Sequence, residues 1–211
     1  MVDAGGDQKL ERMKQIMYKA IKQRSTKPIS EILSKGFDVN TPIMPMGINS
    51  LHLCSAVGDT SCLEVILNAN PSPEVTDQLG RNCLHFACKA GNTENFRILY
   101  ARWGEDDDLN LLDSQSEAGM TPLMLAIQSV EPELVVECLN NQANPFLLDG
   151  FGKRALDYTA HLQDVKSATG NINFGNLVQQ AEEAWSGQIS AEEIEEYKQP
   201  IPNDALFADF K

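Results

Sequence analysis

The sequence predicts an all-α solenoid, a stack of helix-turn-helix units joined by short hairpin loops. Three observations carry that reading. Glycines recur at 47, 80, 119 and 152, at intervals of 33, 39 and 33 residues. The residues after them repeat: Gly47-Ile-Asn-Ser-Leu51-His52-Leu-Cys54, Gly80-Arg-Asn-Cys-Leu84-His85-Phe-Ala87, Gly119-Met-Thr121-Pro122-Leu123-Met-Leu-Ala126, and, more weakly, Gly152-Lys-Arg-Ala-Leu156-Asp-Tyr-Thr159. A second apolar stretch then follows in each of the first three units: Leu63, Val65, Ile66 and Leu67; Phe96, Ile98 and Leu99; Leu134, Val135, Val136 and Leu139. Self-similarity at a fixed period of a few tens of residues marks a repeat architecture. No single unit can cover its own apolar face, so neighbours must stack and share a core.

A 33-residue period with a Thr-Pro-Leu-His-like helix start resembles the ankyrin repeat, over about residues 8–163. The resemblance implies repeats across 46–163, at about 46–76, 77–112, 116–145 and 149–163. Residues 1–45 are then capping helices with a degenerate first repeat, and 164–211 a C-terminal helical extension with an acidic tail. Thr121 can cap an orphan backbone N–H, and Pro122 lacks one to lose. His52 and His85 fall at the family's histidine position, whose imidazole ties a helix start to neighbouring loops. Gly58 and Gly91 can take positive φ and end the first helix of their units. Val130 stands where the third unit should have that glycine, so its turn is expected to be built differently. The six extra residues of the second unit fit Gly104–Leu109, an acidic tract expected to lengthen a hairpin loop.

The ends need polar outer faces. Residues 8–23 carry Leu10, Met13, Met17, Ala20 and Ile21 at helical spacing, with Lys9, Arg12, Lys14, Lys19 and Lys22 between them. This reads as the first helix of an N-terminal cap, with Pro28 opening its partner. Near the other end, 174–186 predicts a helix with Leu177, Val178, Ala181, Ala184 and Trp185 inward. Ser190-Ala-Glu-Glu193 is a capping-box sequence starting a short acidic helix, and Pro200 and Pro202 stop it. Beyond them, Leu206, Phe207 and Phe210 sit among acids, as a docking strand or a linear binding motif.

Composition excludes several function classes. Of 211 residues 42% are hydrophobic and 22% charged, too apolar for wholesale disorder. The net charge of −13 repels phosphate backbones and anionic lipid, so neither nucleic acid nor membrane is an expected partner. No run approaches 18 apolar residues, and the N-terminal residues lack the pattern of a signal peptide. Five cysteines without a CxxC pair read as free, reduced, structural thiols. No nucleophile elbow, phosphate loop, metalloprotease helix or dinucleotide fingerprint occurs. No catalytic residue, metal ligand, cofactor or small-molecule substrate is expected.

What remains is a non-enzymatic protein-interaction module: an adaptor, scaffold or regulatory subunit. In the family, partners bind the concave face of hairpin tips and first-helix ends. Transferred to this chain, those positions include Met46, Ile48, Val57, Gln78, Leu79, Arg81, Lys89, Glu117, Met120, Gln128, Phe151 and Lys153. Among them Met46, Ile48, Leu79, Met120 and Phe151 form an apolar strip. Residues 36–181 hold 7 basic and 18 acidic groups, so the partner should present a neutral or basic, partly apolar surface. A second reading is a structural subunit of a large cytoplasmic or cytoskeletal assembly, axonemal ones included, held by its termini. Cytoplasm is the expected compartment, with cytoskeleton or nucleus as variants.

Overall fold

A computed structural model gives the fold; it describes residues 4–186 apart from positions 58, 105, 107, 161, 163–164 and 168–169. The elements are α1 (Ala4–Lys22), α2 (Thr26–Ser34), α3 (Ser50–Val57), α4 (Thr60–Asn68), α5 (Cys83–Lys89), α6 (Thr93–Trp103), α7 (Pro122–Ser129), α8 (Pro132–Asn140) and α9 (Phe174–Ser186). One-turn 3-10 segments cover Pro45–Gly47 and Ala155–Thr159, and an antiparallel pair of short strands, Val165–Ser167 and Gly170–Ile172, precedes α9.

Helix starts follow the polar residues that precede them. The Asp59 carboxylate accepts from Ser61 and Cys62 N–H, Asn82 from His85 N–H, Asn92 from Asn95 N–H and Thr121 from Met124 N–H. Each cap satisfies donors that have no partner within the helix. Packing then forms two rows. α1, α3, α5, α7 and the 155–159 turn stack as one row, and α2, α4, α6, α8 and α9 as the other. Between the rows lie Met17, Ile21, Ile29, Leu51, Leu63, Ile66, Leu84, Phe96, Leu99, Leu123 and Leu134, all essentially excluded from solvent. Each such side chain contributes on the order of 1.5–3 kcal/mol of burial.

Polar ties cross from unit to unit. Asn95 Nδ2 donates to Cys54 O at 2.8 Å, and Asn92 Nδ2 to Ser55 O at 3.2 Å. Ser72 N–H donates to Asn40 Oδ1 at 2.9 Å and Asn144 N–H to Asp113 Oδ1 at 2.8 Å, one unit's loop holding the next. Burial pushes the Asp113 carboxyl up to about 6, although the Asn144 N–H pulls it back. On the second-helix side the fit is looser. A fissure of about 520 Å³ opens between α4 and α6, lined by Glu64, Leu67, Ile98 and Arg102. Another of about 640 Å³ lies beside the ends of α6 and α8, with Tyr100, Asn110, Asp113 and Asn141 in its walls.

The stack is the all-α solenoid that the sequence predicts, with four differences in detail. The turn at Val130 is not built differently: Val130 adopts φ +62 and ψ +30, beside a φ of +67 at Gly91 in the preceding unit. A β-branched residue is an outlier there; stacking fixes where the helix pair must reverse and overrides the local preference. A side chain at Gly91 would be strained by that φ, and its Cβ would also push the exposed Glu131 side chain aside, 2.7 Å from its Cγ. The insert leaves the hairpin unchanged: α6 has 11 residues where α4 has 9, and the remainder lengthens the connection after it. The fourth unit begins with a 3-10 turn, and α9 packs on α8 as that unit's second helix. Finally, α9 turns Phe174, Val178 and Glu182 inward, leaves Leu177, Ala181 and Trp185 half-buried and exposes Ala184. Leu10 on α1 is likewise exposed rather than core.

Candidate partner-binding face

The candidate face is a row of four hairpins, and the last three are organised by the side chain of the residue three before the glycine. Asp77 Oδ1 accepts from Leu79 N–H at 3.0 Å and Arg81 N–H at 2.9 Å, while Oδ2 receives Arg81 Nε at 2.8 Å. Burial would raise the Asp77 carboxyl, but the Arg81 guanidinium and the two backbone N–H groups outweigh it and hold it below the ordinary carboxylate range. Asp149 repeats the arrangement, accepting from Phe151 and Lys153 N–H at 2.8 Å each and from the Tyr158 hydroxyl. Burial, then that carboxylate, push the Tyr158 phenol up. Ser116 supplies the same position with a hydroxyl, accepting from Met120 N–H at 3.2 Å. These three residues are not among the positions that the sequence predicts for the face. Their signal was there, because all three precede an aligned glycine by three positions.

The glycines at 47, 80, 119 and 152 take φ between +68 and +74. Adjacent hairpins are then stitched by their backbones. Gln78 N–H donates to Met46 O at 2.8 Å, Glu117 N–H to Leu79 O at 2.9 Å and Gly150 N–H to Ala118 O at 2.8 Å. The acceptor is in each case the residue before a glycine. Approach is closest at Gly119, where a Cβ would meet Gly150 N at 2.5 Å and Asp149 C at 2.8 Å.

This geometry sorts the residues expected at the face. Positions just before the glycines point outward: Met46 is 44% exposed, Leu79 38% and Phe151 83%, with the small Ala118 between the last two. Positions just after them are mostly engaged. Ile48 is half-buried, and Met120 packs on the core with its sulfur 3.3 Å from the Tyr158 hydroxyl. Arg81 is paired with Asp77 and lies over the Phe86 ring at 4.8 Å. Lys153 is exposed, its ammonium 5.7 Å from the Tyr158 ring centroid. Gln78, Glu117, Lys89 and Gln128 are exposed, and Val57 packs against the core. The structure thus brings Met46, Leu79 and Phe151 into one register and separates Ile48 and Met120 from them. Leu206, Phe207 and Phe210 lie outside the described residues.

The two histidines support this row. His85 Nε2 lies 2.9 Å from Met120 O and His52 Nε2 3.0 Å from Val75 O, while each Nδ1 faces the backbone N–H of its own helix-capping asparagine. An imidazole protonated on Nε2 satisfies both contacts. Burial lowers both pKa values, that of His85 to about 4. Each ring is therefore a neutral strut near pH 7. Among the described residues no group of three or more His, Cys, Asp or Glu is placed to hold a metal, and no helix is long and apolar enough to cross a membrane.

A family profile described as "Ankyrin repeats (3 copies)" matches residues 51–149. The chain is similar to Neurogenic locus notch homolog protein 1 of Xenopus laevis, 29% identical over 144 residues, which are 68% of this chain and 6% of that protein. It is also similar to the Homo sapiens protein of the same name, 27% identical over 140 residues (66% and 5%), and to Neurogenic locus notch homolog protein 2 of Homo sapiens, 28% over 139 residues (66% and 5%). The chain therefore spans a small fraction of these relatives' length.

Proposed function

Because the repeats over residues 51–149 make this an ankyrin-repeat protein, we propose that it acts as an adaptor, scaffold or regulatory subunit holding a protein partner along its hairpin tips. The ankyrin repeat is in general a non-catalytic, protein-binding fold. The observation that carries the finer reading is the row of exposed apolar side chains at one repeat position, Met46, Leu79 and Phe151. Large apolar groups in register on an otherwise polar surface are a partner-site signal. Lys89, Gln128, Gln78, Glu117 and Lys153 surround the row with polar groups, the usual rim of an interface. A neutral or basic partner surface with apolar anchors complements this acidic array. A cytoplasmic location agrees with five unpaired, buried thiols.

The test is affinity capture with quantitative mass spectrometry, comparing wild type with Met46→Asp/Leu79→Asp/Phe151→Asp. An anion placed in a desolvated contact loses several kcal/mol, so partner recovery should fall to background while the helical circular dichroism is kept. Recovery of the same partners at wild-type yield by the folded variant would remove the hairpin row from consideration.

A further inference from the structure

The hairpin row leaves the N-terminal cap unexplained. On α1, Lys9, Arg12, Ile16 and Lys19 recur at intervals of 3, 4 and 3 residues, which places them on one face of the helix. All four are exposed, Ile16 at 37%. Met17 and Ile21 face away from them into the core, and Ala20, four residues on from Ile16, is buried at the edge of this face. Among the described residues the ion pair on α1 is Lys14 with Glu11, on the other flank, and Lys9, Arg12 and Lys19 have no carboxylate partner. In a chain of net charge −13, residues 1–35 hold 8 basic and 4 acidic groups. Three cations around an exposed isoleucine form a face built for an acidic segment with an apolar centre.

The chain contains such a segment. Residues 192–197 read Glu-Glu-Ile-Glu-Glu-Tyr, and residues 182–211 together hold 8 acidic and 2 basic groups. We propose that the Lys9–Arg12–Ile16–Lys19 face docks residues 192–197 of a second copy of the chain, head to tail. Reach decides between copies. α9 ends at Ser186, so Glu192 lies at most about 20 Å beyond it, at ~3.4 Å per residue. From α1 to the last unit there are four stacking steps, through α3, α5 and α7 to the 155–159 turn. At ~8–10 Å per packed helix that is about 32–40 Å. Docking the whole of residues 192–197 needs Glu192 itself at the face, which a chain's own Glu192 cannot reach, whereas a neighbour's can. The contact joins two different surfaces, so it can repeat without closing and lengthens the solenoid end to end. It uses neither the hairpin row nor its residues, and it stands or falls separately from the function proposed above.

Sedimentation velocity and light scattering on the full chain test it, across protein concentration, at about 20 mM and about 300 mM salt, where screening shortens the range of surface charge. Wild type should pass from monomer to larger species as concentration rises at low salt, and return to monomer at high salt. K9E/R12E/K19E alone should stay monomeric, as should E192K/E193K/E195K/E196K alone, each with an unchanged melting temperature. Mixing the two variants should restore association, because each now offers the face that the other's segment needs. Wild type that is monomeric at every concentration, or a mixture that fails to associate, overturns the proposal. If monomeric wild type instead binds phosphatidylserine vesicles through these lysines, the face belongs to a lipid surface and the self-docking is wrong.

Discussion

Gly119 and Gly152 offer a matched pair for measuring what the hairpin stitching is worth. Both precede first-row helical segments, and both hold φ near +74. An added methyl at 152 meets nothing within 4 Å, whereas at 119 it meets the Gly150 nitrogen at 2.5 Å and the Asp149 carbonyl carbon at 2.8 Å. For Gly152→Ala only the left-handed backbone matters, a cost of about 1–2 kcal/mol, offset by about 0.4–1 kcal/mol of lost freedom in the unfolded chain. The net destabilisation should be about 1 kcal/mol. Gly119→Ala carries the same conformational cost, but its methyl strikes backbone, which cannot rotate away. The next hairpin must shift and give up the Gly150 N–H to Ala118 O bond of 2.8 Å, at about 0.5–1.5 kcal/mol plus the cost of an unsatisfied carbonyl. Gly119→Ala should therefore lose about 3 kcal/mol. Urea unfolding followed by circular dichroism, with slopes compared to confirm the same transition, reads the difference. Equal midpoints for the two variants would mean that the hairpins do not approach as closely as this geometry requires.

Leu84→Ala, at a fully buried position in the first helix of a central unit, should cost about 2–5 kcal/mol through the cavity it leaves; a melt unchanged from wild type would contradict its place in the core. The buried neutral His85, with a pKa near 4, binds its proton less readily folded than unfolded, so its own contribution of up to about 3 kcal/mol is complete above pH 6.5 and lost as pH falls toward 4. Asp113, held up to about 6, contributes in the opposite direction by a comparable amount between pH 6 and 4, so the wild-type slope should be shallow, and His85→Gln should shift it toward stabilisation by acid in urea titrations at pH 7, 5.5 and 4.5; an unshifted slope would contradict a buried neutral His85. The five cysteines are buried, and burial pushes the Cys83 thiol up to about 12, so native protein should react with a thiol reagent at pH 7.5 far more slowly than urea-unfolded protein; fast native labelling would expose the core. Helical circular dichroism should survive EDTA, and its loss on chelation would show that a bound ion is needed for folding.

Most of the array is legible in the sequence because its determinants are local and repeated. Thr121-Pro122, the aligned glycines and the Leu84-type positions each state their role within about three residues of the element they fix. Features that depend on neighbouring units are harder to read. Nothing near Val130 announces a left-handed valine, because the requirement comes from how the preceding unit's turn packs beside it. Ile48 and Met120 look like Met46 and Phe151 in a repeat alignment, yet lie on the other side of a glycine whose twist turns one outward and the next inward. Phe174, Val178 and Glu182 face inward because α9 must lie on α8, a partner about 40 residues upstream, so a hydrophobic stripe drawn through Ala184 points the wrong way. Asp77, Ser116 and Asp149 were readable by position but not by residue type, since carboxylate and hydroxyl serve one purpose with different chemistry.

The hairpin stitches give the protein a mechanical character. Along one edge, successive units are joined backbone to backbone at 2.8–2.9 Å, with no slack at Gly119. Along the other edge, α4, α6 and α8 touch through side chains, with fissures of several hundred Å³ between them. The array thus resembles a leaf spring with one inextensible rim and one compliant rim. Bending that opens or closes the outer edge deforms soft side-chain contacts, while bending that stretches the inner edge must break hydrogen bonds. A partner seated on the inner rim would meet a nearly fixed ruler of apolar teeth, and the flexing needed to accommodate it would be taken up on the opposite side.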